Sequence, residues 1–208
     1  MASFWRYFGG TVVRPARTFA ALQADSRQVA MGVRAVLFIG ALYTITVAML
    51  AAGGALITAP AFLVLPPENY YFYEIFFAGP VFFLGWIMAA GLARLLGRPR
   101  RGTGSFEGTL AALGFAVSIP FLITWVAETA FSVFLLLGGS QQAFMDLSAQ
   151  PGAVQTIVIA YQLVAAAWLL VLTILAVRAG LKTGWGRAVL VGVLTTLVFL
   201  GLMVVFIR

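Results

Sequence analysis

GRPRRGTGSFEGTL, residues 97–110, decides how the chain is read. With Arg94 just upstream, it places four arginines (Arg94, Arg98, Arg100 and Arg101) within eight residues. The surrounding chain is 62% hydrophobic and only 9% charged, whereas a soluble domain is about 25% charged. On either side of the cluster lie apolar runs long enough to cross a membrane, so the cluster reads as a loop between two crossings.

A helix needs about 20 apolar residues to span a hydrocarbon core of roughly 30 Å. Five segments meet this requirement, near Val33–Leu56, Ile75–Leu96, Gly108–Leu137, Val154–Val177 and Ala188–Ile207. The links between them carry helix breakers: APAFLVLPPENYY, GRPRRGTGSF, GGSQQAFMDLSAQPG and AGLKTGWG. The third segment is long and holds Pro120, which predicts a kink. Splitting it into two crossings would scramble the loop charges, so one long kinked helix is expected.

Cytoplasmic loops collect Lys and Arg. With five spans, twelve of the thirteen basic residues fall on one side: Arg6, Arg14, Arg17, Arg27 and Arg34 before the first span, the four arginines after the second, and Arg178, Lys182 and Arg187 after the fourth. Only Arg208 falls opposite. Three separate loops agree, which predicts a cytoplasmic N-terminus and an external C-terminus. The fold class is therefore all-α, a polytopic bundle of five transmembrane spans. Residues 1–32 form a cytoplasmic N-terminal amphipathic segment and 33–208 the membrane domain. In the former, Phe4, Trp5, Tyr7 and Phe8 mix with arginines, and Pro15 suits the first position of a surface helix carrying Phe19 and Leu22. No long apolar stretch precedes the first span, so that span is expected to act as an uncleaved anchor.

Neither cysteine nor histidine occurs. This excludes disulfides, thiol nucleophiles, Cys/His metal sites and His-based triads. No Walker A, G-x-S-x-G or H-E-x-x-H motif is present, and GTGSFEG lacks the lysine that a phosphate loop requires. The chain reads as a non-enzyme without a cofactor. A net charge of +7 serves topology here, not nucleic-acid binding.

Three groups of residues are candidates for function. Glu74, Glu128, Asp146 and Tyr73 fall toward the outer side; they could form a cation or proton site of hard oxygen ligands, or the two glutamates could reach headgroup water and mark the boundary. Tyr161, Gln162 and Thr44 lie within spans, as does Thr46; polar groups there either bond between helices or line a solute path. Arg94, Arg98, Arg100 and Arg101 form a basic inner face for lipid headgroups or a protein partner. Small residues such as Gly40, Ala48, Ala52, Gly85, Ala89, Gly192 and Gly201 allow close helix contact and a homo-oligomer.

Three stretches in this order, RPARTFAAL (14–22), NYYFYEIFFAGPVFFLGW (69–86) and GTGSFEGTLAALGFAVSIPFLITW (102–125), resemble the YIP family, the Ypt/Rab-interacting proteins of eukaryotic membrane traffic and their bacterial relatives. The Gly-rich basic loop, then Ser-Phe, then a span with a central proline is the most specific part. The resemblance implies five spans with a cytosolic N-terminus and, in eukaryotic members, binding of prenylated small GTPases. This chain departs from those members. Its N-terminal region is short, and their D-L-x-G-P motif has only a partial echo in Phe77–Pro80, so GTPase binding is not carried over. Twelve arginines to one lysine suggest a GC-rich bacterial genome and hence a bacterial inner membrane. The expected role is a membrane scaffold binding lipid or protein at its basic face; the alternative is a small oligomeric transporter or channel for a cation, proton or small solute using the outer carboxylates.

Overall fold

The computed structural model describes residues 3–58, 62–97 and 104–207. Arg98, Arg100 and Arg101 lie outside the described residues. Among the residues described, every regular element is helical: α1 (Phe4–Val13), α2 (Pro15–Gln23), α3 (Gln28–Ala52), a single 3-10 turn (Pro67–Asn69), α4 (Tyr70–Leu96), α5 (Phe106–Leu136), α6 (Gln141–Ala149), α7 (Ala153–Leu181) and α8 (Trp185–Phe206). Five of these, α3, α4 with its leading turn, α5, α7 and α8, are long and apolar enough to cross a membrane. The first span begins earlier than expected, at Gln28, and the fourth runs on to Leu181. Short polar or charged residues at their ends do not stop a helix whose next turn still packs on protein.

The bundle is built around α5. Its residues from Ala111 to Pro120 are all buried, with α3 and α4 on one side and α7 on the other, while α8 closes the ring between α4 and α7. The close packing follows from missing side chains. A Cβ on Gly114 would sit 2.6 Å from the Gly32 carbonyl oxygen, and one on Gly180 would sit 2.5 Å from the Thr109 Cα. Backbone therefore meets backbone at both faces of α5. Without a strong hydrophobic drive between helices in lipid, such close van der Waals contact is what holds spans together.

Pro120 sits inside α5, yet the helix runs on to Leu136 as one element, in agreement with a single long crossing. Proline removes only one ladder bond. Serine caps the starts of α5 and α6: the Ser105 hydroxyl accepts from the Gly108 amide at 2.9 Å at the start of α5, and the Ser140 hydroxyl accepts from the Ala143 amide at the start of α6. At the end of α7, Lys182 adopts a left-handed conformation, φ 50°, which turns the chain sharply into α8.

The N-terminal segment forms two helices rather than one. Pro15 does occupy the first turn of the second. Both are docked on protein: α1 packs Phe4 and Phe8 against Phe38 of α3 and Phe115 of α5, at 5.6 to 6.4 Å between centroids. In α2, Phe19 and Leu22 are fully buried, each gaining about 1.5–3 kcal/mol over exposure to water.

Gly114→Ala is expected to lower stability by about 1–3 kcal/mol through overpacking, read as thermal unfolding in detergent. Gly91→Ala, whose Cβ meets nothing within 4 Å, should leave the transition in place or raise it.

Candidate functional site

The described basic residues gather at one end of the bundle, where α3, α5 and α8 start and α4 and α7 finish. They divide by what they touch. Arg94 Nη1 donates to the Gly104 carbonyl at 3.0 Å, tying the end of α4 to the approach of α5. Arg178 stacks 4.1 Å over the Trp185 ring, joining α7 to α8. Arg27 lies 3.6 Å from the Asp25 carboxylate. These three fasten the basic end together, so Arg94 is a structural residue as well as a candidate contact.

Arg6, Arg14 and Arg17 do something different. All three are exposed and line an open cleft of about 600 Å³ between α1 and α2, together with Tyr7, Thr18 and the bare backbone of Gly9 and Gly10. No carboxylate lines it. The elbow that shapes the cleft is fixed from behind. The Tyr7 hydroxyl donates to Asp25 at 3.0 Å, the Arg27 amide donates to Asp25 at 2.8 Å, and Gln23 Nε2 donates to the Gly108 carbonyl of α5 at 2.7 Å. Beside the cleft, Trp5, Val12 and Val13 of α1 are exposed.

The opposite end arranges its polar residues otherwise than as one cluster. Glu74 is 0% exposed on the inward face of α4, so it does not reach headgroup water, and that expectation is corrected. Tyr73 is exposed beside Phe72. Asp146 is exposed on α6 and accepts from Gln142 Nε2 at 2.8 Å. Glu128 is partly buried and shares a cavity with Tyr161 that neither Glu74, Asp146 nor Tyr73 lines. The four residues grouped from sequence position thus occupy different surroundings. A helical element turns successive residues by 100°, and proximity in depth does not bring side chains onto one face.

The intramembrane polar residues also separate. Thr44 donates to its own helix at the Gly40 carbonyl, 2.9 Å away. Tyr161 is partly buried and Gln162 exposed, the latter beside a small cleft at Pro120. Among the bonds that join α3 to α5, one is made by Thr46, which its position in the span singled out, and the others come from residues that position did not. Thr46 and Thr129 pair at 2.8 Å, the Tyr43 hydroxyl meets Thr124, and Trp125 Nε1 donates to the Leu42 carbonyl at 3.2 Å. Each such bond contributes about 0.6 kcal/mol in a membrane protein. Trp86 likewise donates to the Leu110 carbonyl at 2.8 Å, joining α4 to α5.

The model of the Yip1 domain family matches residues 9–207. The chain belongs to the Yip1 domain family. Nearly the whole chain is matched, including the second half of α1 and all of α2, while Arg6 and Tyr7 lie just before the matched residues. No curated protein and no solved structure matches. The five apolar helices and the family together make this an integral membrane Yip1-domain protein.

The Asp25 carboxyl is held below the ordinary carboxylate range, chiefly by the Arg27 backbone amide and then by the Tyr7 hydroxyl. A lowered folded-state pKa contributes stability at neutral pH that is lost as pH falls through it. Hydrogen exchange over residues 4–23, corrected for intrinsic rates, should therefore accelerate below about pH 4. In Asp25→Asn it should already be fast at neutral pH, with little further change on acidification.

Proposed function

We propose that this Yip1-domain protein is a non-enzymatic organiser of a bacterial cytoplasmic membrane. Its N-terminus and basic end face the cytoplasm and its C-terminus lies outside. At the basic end it binds anionic lipid headgroups and, through them or directly, protein partners. The observation that carries this reading is the α1–α2 cleft, where Arg6, Arg14 and Arg17 converge with no carboxylate among its lining residues.

Three physical considerations support it. Guanidinium groups pair well with phosphate oxygens because their donors form a planar fork. The positive-inside distribution puts those groups against the leaflet that carries anionic lipid. Trp5, Val12 and Val13, exposed on the same helix, suit burial at the acyl boundary, so the cleft would open where headgroups lie. The absence of cysteine and histidine from the whole chain agrees with binding rather than catalysis.

The test is native mass spectrometry of the purified protein after exchange into mixed vesicles of phosphatidylglycerol and phosphatidylcholine. At about 1 kcal/mol per basic residue near an anionic surface, replacing Arg6, Arg14 and Arg17 together with Gln should weaken phosphatidylglycerol retention by roughly a hundredfold. Added salt should weaken the parent protein in the same direction. Equal retention by the parent and the triple variant would overturn the reading.

A further inference from the structure

At the end opposite the arginines, the first half of α7 stands away from the bundle: no residue from Ala153 to Val164 is buried. Between this half-helix, the last turns of α5 and the short α6 lies a cavity of about 270 Å³. Its walls are nearly all apolar, including Phe131, Phe144, Val154 and Ile157, and its polar atoms come from Glu128 and Tyr161. Phe144 of α6 stacks on Phe131 at 4.7 Å, forming a cover. Behind the carboxylate stands the Tyr43 hydroxyl of α3, itself anchored by Thr124.

A carboxylate at a membrane boundary among hydrocarbon walls is costly without a counter-charge. No Lys or Arg lines the cavity, and the described basic residues belong to the other end of the bundle. A hard metal ion is poorly suited, because Ca²⁺ takes six to eight oxygens and the cavity offers one carboxylate and one phenol. Among the described residues no group of three acidic ligands occurs anywhere. What the walls do suit is an organic cation. Three aromatic side chains line it, Phe131, Phe144 and Tyr161, and aromatic rings attract an ammonium; the volume exceeds the roughly 150 Å³ cavity that accepts benzene. We propose that the α5–α6–α7 cavity binds an ammonium group carried on an apolar body, with Glu128 as its counter-ion and Phe131, Phe144 and Tyr161 as its aromatic wall. The ammonium could arrive on a free amine or as the headgroup of an ethanolamine lipid from the adjacent leaflet. Both present the same chemistry.

The experiment has two arms on the full-length protein. In the first, the protein in phosphatidylglycerol nanodiscs, which contain no ammonium, is titrated with phenethylammonium and, as a neutral control, ethylbenzene. In the second, phosphatidylethanolamine retained from mixed vesicles is counted by native mass spectrometry. The proposal expects saturable binding in at least one arm, weakened about tenfold or more by Glu128→Gln. Ethylbenzene should be insensitive to that change. Phe144→Ala, which opens the wall and leaves the carboxylate in place, should weaken binding as well and guards against a folding defect in the first variant. Binding in the first arm alone assigns the site to free amines, and in the second alone to the lipid headgroup. No saturable binding in either arm, or binding unchanged in Glu128→Gln, overturns the proposal.

Discussion

The contact between the backbones of Gly32 and Gly114 is the constraint from which the rest of the molecule follows. With a side chain at either position, α3 and α5 could not approach to this distance, because the obstructing atoms are carbonyl and Cα atoms that cannot move aside. Gly180 makes the matching contact on the other face of α5, against Thr109. Held from both sides, α5 from Ala111 to Pro120 becomes a buried strut. Its start is then locked to neighbouring spans: the Ser105 amide donates to the Gly180 carbonyl at 3.2 Å, and Arg94 and Gln23 reach carbonyls at Gly104 and Gly108. The floor on which α1 and α2 rest is built from this one packing arrangement.

That floor explains how so apolar a chain keeps its positive charges in useful places. Some arginines are consumed in fastening helix ends, through a carbonyl, an indole face or Asp25. Those on the elbow between α1 and α2 are left pointing into a cleft. An arginine cluster that only marked topology could be loose, whereas here Tyr7, Asp25 and Gln23 brace the elbow from behind. Bracing fixes the backbone that carries the three arginines, so less ordering of the chain is needed when they converge on one ligand. The far end of the bundle has the opposite character, with no buried residue in α6 or in the first half of α7 beside Glu128.

The spans were legible because their signal is length and hydropathy, and both are local. All five expected crossings are present, and the long third helix is unbroken at Pro120 as the loop charges required. Contacts across the bundle were much less legible. Gly40, Gly85 and Gly192 do meet neighbouring helices, but Gly201 faces open space, and the backbone-to-backbone approaches on the two faces of α5 involve Gly32, Gly114 and Gly180, which composition does not distinguish from other glycines. The same limit applies to Glu74. Its depth suggested contact with headgroup water, but the face it occupies is set by the rotation of α4 against α3 and α8, and it is buried. Phe19 and Leu22 signalled an amphipathic α2; that its apolar side meets α5 and α7 rather than lipid depends on long-range packing.

The account rests on the arginine-bearing end facing the cytoplasmic leaflet. A chain without cysteine makes the direct measurement simple: single cysteines at Ser26, in the exposed turn before α3, and at Gln150, exposed after α6, labelled with a membrane-impermeant maleimide on intact cells and on inverted membrane vesicles. The account predicts that Ser26→Cys reacts only in inverted vesicles and Gln150→Cys only on intact cells. The reverse pattern would place the cleft outside the cell, away from anionic lipid, and would contradict it.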